Sequence, residues 1–170
     1  MFGLIRWTSG ILQITARVCS FALLLMVFVQ LSVVLLRYVF DSGFLWLQES
    51  VVYLHVCSAL FGIGYTLYKD AHVRVDIFYR RASRPLKVIV NLVGLAVFVL
   101  PFCIALWITS WPFVAASWSA LEGSNQPSGI QAVFLLKSGL LAASFLTMVG
   151  AVALALKQRA RIVEPTCVSK

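Results

Sequence analysis

The sequence predicts an all-α integral membrane protein with four transmembrane helices and both termini cytoplasmic. Amphipathic interfacial helices are expected at the N-terminus and between helices 2 and 3. Three observations carry this. Of 170 residues, 61% are hydrophobic and 12% charged, with a mean hydropathy of +0.95. A soluble domain holds about a quarter charged residues, and a particle of this size could not enclose so much apolar surface in one core. The apolar residues fall in four runs that can each cross a hydrocarbon layer about 30 Å thick. The basic residues between those runs lie almost entirely on one side. A soluble enzyme, a secreted disulfide domain and a disordered tail are all excluded.

Residues 1–17 place Leu4, Ile5, Trp7, Ile11, Leu12 and Ile14 among Arg6, Thr8, Ser9 and Gln13. That pattern fits a helix lying on the cytoplasmic leaflet, although its apolar stripe is imperfect. A cleaved signal peptide fits poorly, because no small-residue cleavage site follows the first apolar run. The first span is 18–36, bounded by Arg17 and Arg37, and the second is 44–68, with Glu49 its only charge. Over 73–87, Val75, Phe78, Ala82 and Leu86 recur at helical spacing, with Asp76, Arg80, Ser83, Arg84 and Lys87 largely on another face. This reads as a cytoplasmic amphipathic helix whose Arg74, Arg80, Arg81, Arg84 and Lys87 reach lipid phosphates. A solvated basic loop is the alternative.

The third span is 88–111, kinked by Pro101. Pro112 is expected to begin a separate segment, so that 112–129 forms a periplasmic segment and loop ending in the turn-forming stretch Glu122–Gly129. The fourth span, 133–156, carries Lys137 in its first turn, and 157–170 is a cytoplasmic tail. The whole chain reads as one membrane domain, without repeats or low-complexity tracts.

The formal charge of +8 would suggest nucleic acid in a soluble protein. Here twelve of the fourteen Lys and Arg lie in 1–17, 69–87 and 157–170, while Arg37 and Lys137 are the two on the other side. The positive-inside rule then puts both termini in the cytoplasm, as an even number of spans requires. Lipid headgroups, and no nucleic acid, are the expected partners of these charges. The four cysteines have no close pair, so neither a disulfide framework nor a zinc site is expected.

Chemistry inside the spans is sparse. Gln30, His55, Asn91 and scattered Ser and Thr are the polar groups of the central zone, whereas a proton relay or cation site built by this chain alone would want buried acids or a histidine chain. A haem-holding anchor of a respiratory redox enzyme is the alternative function to weigh. His55 and His72, 17 residues apart along one helix and its exit, are separated by about 25 Å at 1.5 Å per residue. They cannot ligate one haem between them, and no cofactor is expected. A small homo-oligomeric exporter is a third reading, disfavoured by the missing intramembrane charge. Ser58 and Gly62 on the second span, and Gly139 and Ala143 on the fourth, stand at small-xxx-small spacing and are the candidate helix-packing positions. Gly64 and Gly150 lie near them. Arg37 and Glu49 end successive helices and could pair across the hairpin, or be two ordinary interfacial charges. Trp46 sits where an interfacial aromatic belongs.

Several of these residues coincide with a known pattern. Arg37-Tyr38-Val39-Phe40, then Trp46 and Glu49, then His72-Val73-Arg74-Val75-Asp76, then Glu122-Gly123-Ser124 with Gly129, and Lys137 opening the last helix, resemble the small (DctQ-type) membrane subunit of tripartite ATP-independent periplasmic (TRAP) transporters over about residues 18 to 157. The resemblance implies a non-catalytic stator subunit. It implies a large membrane subunit holding the sodium and substrate sites, working as a sodium-driven elevator, and a periplasmic substrate-binding protein delivering organic acids such as carboxylates. It also implies that Arg74 and Asp76 set the lateral helix (with His72 at its start) against the end of the second span. The outer segments 37–49 and 122–137, with Arg37, Trp46, Glu49 and Lys137, then become candidates for a structural ion pair or partner docking.

Replacing Arg80, Arg81 and Arg84 together by Gln is expected to lower the amount of protein stably inserted in membranes, or of the complex it forms, and to leave substrate choice unchanged. A changed substrate preference in an uptake competition assay would mean that the segment has been misplaced.

Overall fold

A computed structural model describes residues 2–71 and 83–163, and all of their regular structure is helical. The helices are α1 (Phe2–Tyr38), α2 (Leu45–Tyr68), α3 (Arg84–Gly94), α4 (Leu100–Ser119) and α5 (Val133–Val163), with a π-helical turn, Leu95–Val99, joining α3 to α4. Four spans long and apolar enough to cross a bilayer result: 6–38, 45–68, 85–119 and 133–158. The four-span, all-α expectation holds.

Three boundaries differ from the sequence reading, each for a local reason. The separate interfacial helix over 1–17 is not set off, because α1 runs unbroken through Arg17. Thr8, Leu12, Cys19 and Ala22 are buried, at steps of about one or two turns, so one face of α1 meets the other helices on both sides of the exposed Arg17. A chain held by the same face before and after a charge has no cause to bend there. The lateral helix expected over 73–87 does not reach Lys87. Ser83 is extended (φ −64°, ψ 157°), and Arg84–Lys87 form the first turn of the third span, where the Lys87 N–H donates to the Ser83 carbonyl at 3.0 Å. Pro85 is the cause: lacking an N–H and crowding the preceding turn, it is tolerated only where a helix starts. His72, Arg74, Asp76, Arg80 and Arg81, and with them most of that lateral helix, lie outside the described residues.

Pro112, finally, begins no new segment, for α4 continues through it to Ser119. Ser110, Val114 and Ser117 are buried at steps of four and three residues, so the stretch beyond Pro112 is held against a neighbour on the same face as the stretch before it. Pro101 acts differently. It has no N–H to return, and just before it the backbone widens so that the Leu100 N–H reaches the Leu95 carbonyl, five residues back. Such a widening is one of the ways a membrane helix accommodates proline.

The helices form an open layer around α5. It touches α1, α2, α3 and α4, whereas α4 meets neither α1 nor α2. Correspondingly, 39% of the apolar window of α5 is buried in the protein, against 11% for each of the other three spans. A small core of Leu95, Ala151 and Leu154, flanked by Leu67, Val99, Leu100 and Ala155, fixes the π turn against α5. The closest approach is between α2 and α5. A Cβ placed on Gly64 would stand 2.3 Å from the Leu146 carbonyl oxygen, and one on Gly150 would stand 2.3 Å from the Gly64 carbonyl oxygen. Leu12 of α1 closes over the same point, 3.2 Å from that Gly64 position.

Gly150→Ala is therefore expected to destabilise the protein by about 1–3 kcal/mol, since the clash is with backbone rather than a yielding side chain. Gly62→Ala, where nothing lies within 4 Å of an added Cβ, should be neutral or stabilising by up to about 1 kcal/mol. Thermal unfolding in detergent compares the two; equal losses would refute the assigned crossing.

Candidate functional site

Polar chemistry concentrates at the end of the layer where α1 joins α2 and α4 joins α5. It begins with how α4 stops. Leu121 takes a left-handed conformation (φ 45°), its N–H donating to Trp118 O at 3.2 Å and the next N–H, of Glu122, to Ser117 O at 3.0 Å. This pair of bonds is a Schellman ending, usually built on glycine. It turns Glu122 back over its own helix. There one carboxylate oxygen accepts from Ser117 Oγ at 2.7 Å and from Lys137 Nζ of α5. The Glu122 carbonyl accepts from the Phe134 N–H at 3.3 Å. Lys137 also lies 4.0 Å from the ring centre of Phe113, and Trp118 Nε1 donates to Ser138 Oγ at 2.8 Å, its ring edge-on to Phe134. Glu122 thus fastens the loop to α4 and α5.

Glu49 fastens the same loop to α2. Its two carboxylate oxygens accept from Ser124 Oγ and from the Ile130 N–H, each at 2.5 Å. Charge-assisted bonds of this kind are about twice as strong as neutral ones. The loop must come very near for this, and Gly129 allows it: a Cβ there would lie 2.6 Å from Glu49 Oε1 and 2.2 Å from Ser124 Oγ. Gly123 is similarly crowded by the Gln131 side chain.

The expected Arg37–Glu49 pair is not formed. Both Glu49 oxygens face the α4–α5 loop, while Arg37 lines a shallow recess with Asp41, Gly43, Leu45 and Gln48. Trp46 is 51% exposed and tilted against Phe44 at 6.4 Å. Lys137 finds Glu122 as its acid partner. Among the packing candidates, Ser58 and Ala143 are buried and Gly139 faces Val56 and Leu60 of α2, but Gly62 points into open space. The crossing it was expected to make belongs to Gly64, two residues on, with Gly150. Arg84 and Lys87 begin α3. Ser117 and the Ile130 amide were not foreseen; a serine and an amide carry no motif, and only the contact itself reveals them. Among the described residues no three His, Cys, Asp or Glu side chains gather into a metal-binding group.

Four spanning helices in an open layer, tied at one end by a hydrogen-bonded loop on two carboxylates, define a multi-pass integral membrane protein. The chain belongs to the DctQ component family of the tripartite ATP-independent periplasmic transporters, whose sequence profile matches residues 23–162. It is 27% identical over 134 residues to the C4-dicarboxylate TRAP transporter small permease protein DctQ of Vibrio cholerae serotype O1, an alignment taking in 74% of this chain and 57% of that relative. No solved structure gives a significant match. The family is one of transporter components, and nothing in the match supports a redox-enzyme anchor.

The Lys137 ammonium, and after it the Ser117 hydroxyl, hold the Glu122 carboxyl below its ordinary pKa, against a smaller opposing effect of burial. A carboxyl depressed in the folded state contributes its stability above its ordinary value and loses it as pH falls through the lowered one. Thermal stability of the wild type should therefore decline on acidification into that window more steeply than that of Glu122→Gln. Because Glu122 is 40% exposed, the difference should shrink in high salt. Identical acid profiles would show that the pair contributes nothing.

Proposed function

We propose that this chain is the non-catalytic stator subunit of a sodium-driven TRAP transporter that imports organic acids. In this reading a large membrane subunit carries the substrate and sodium sites and moves, and a periplasmic binding protein delivers the substrate. The observation that carries it is the family match over most of the chain. The architecture supports it: a layer pinned by glycine contacts and a clasped loop suits a part that holds still. Both termini are cytoplasmic and the clasped loop periplasmic, on the strength of the twelve basic residues at the opposite end. At that end Arg74, Arg80, Arg81, Arg84 and Lys87 meet phospholipid headgroups. The segments around Trp46 and Glu122–Lys137 face the binding protein, and Glu49 serves by keeping the loop in one shape.

Expressed with the large permease expected beside it, the tagged chain should recover that permease in mild detergent. In proteoliposomes, sodium-driven uptake of a carboxylate should need the permease and the binding protein as well as this chain. Uptake by the chain alone would refute the stator role.

A further inference from the structure

Helix α2 is the least apolar of the four spans, with a mean hydropathy of 1.5 against 2.6, 2.6 and 2.2 for the first, third and fourth. Yet only 11% of its apolar window is buried within the protein, no more than in the two most apolar spans. A less apolar helix in a bilayer should be the better covered one. The discrepancy has a location. Facing away from α1 and α5, α2 leaves uncovered a stripe of Val52, His55, Ala59 and Gly62, at steps of three, four and three residues. Val52, His55 and Ala59 are exposed, and Gly62 has nothing within 4 Å of a Cβ position.

His55 lies ten residues into the helix, about 15 Å along its axis and so near mid-bilayer. Among the described residues its imidazole has no hydrogen-bond partner. Hydrocarbon supplies none either, and an unsatisfied polar group there costs several kcal/mol. The exposed faces elsewhere have a different character: Phe21, Leu24, Phe28, Leu31 and Leu35 on α1, and Phe98, Phe102 and Ile108 on α4. Those bulky apolar rows suit lipid tails. The α2 stripe is small and polar, and small residues are what let a second helix come close enough to pack and to hydrogen-bond in a membrane.

We infer that the Val52–His55–Ala59–Gly62 stripe of α2 is the seat of a transmembrane helix of the large membrane subunit, packed against Gly62 and presenting a hydrogen-bonding group to His55. This rests on the stator reading. A second copy of this chain fits less well. A symmetric contact would set imidazole against imidazole, leaving each with a nitrogen unmatched.

The test uses the assembled complex in native membranes. A photo-crosslinking residue at position 59 should capture the large subunit, and the same residue at positions 28 and 102 should not. Gly62→Leu and His55→Leu should cut recovery of the large subunit about tenfold, with unchanged amounts and helicity of this chain. His55→Gln, which keeps a hydrogen-bonding side chain, should retain recovery. If the wild type recovers the large subunit but position 59 crosslinks only to lipid or to a second copy, the seat is refuted and the stator reading stands. If the wild type recovers no large subunit, the stator reading itself fails and the seat with it.

Discussion

The contact between Gly64 and Gly150 is the constraint on which the rest of the structure depends. Lipid tails are as apolar as leucine, so in a bilayer there is no hydrophobic drive to bring helices together. Close packing must take its place, and only where side chains are missing can two backbones meet. At this crossing a single added methyl on either helix would strike a carbonyl. With α2 and α5 so fixed, α1 can close over the crossing through Leu12 and reach α2 again where Cys19 Sγ donates to Cys57 O at 3.5 Å. The third span, which touches only α5, is then placed by the one helix that everything else already holds.

The loop between α4 and α5 solves a separate problem. Helices that pack near one end of the layer can splay at the other, and Glu49 and Glu122 bind the same dozen residues to α2 on one side and to α4 and α5 on the other. Neither carboxylate is left free to act on a ligand. The loop thereby becomes a shaped surface instead of a loose connection, which suits a DctQ component whose neighbours must meet it in one orientation.

How much of this could be read in advance depended on whether the physics was local. Span number and rough limits follow from bilayer thickness acting on single apolar runs. The side of the membrane follows from charges that each act alone. Partner choice is different. Arg37 is the basic residue nearest Glu49 in the sequence, but the donors that reach it come from 75 and 81 residues away. Gly62 and Gly64 both fit a small-residue pattern. Two positions turn a helix by about 200°, so one faces α5 and the other faces away, and spacing alone does not say which. Pro101 and Pro112 look alike on the page. One opens the backbone into a π turn and the other leaves the helix intact, because the outcome depends on what holds the helix on either side.

The π turn has a consequence for the geometry of its own span. Leu95 and Cys103 are both buried, though eight residues apart they would point about 80° from one another on a regular α-helix. The wide turn between them absorbs roughly one residue, which brings the two back to within about 20°. It thus serves as a phase correction. One half of the span can follow the stripe set by Leu95 and the other the stripe of Cys103, Ser110, Val114 and Ser117, and both rest on the same side of α5.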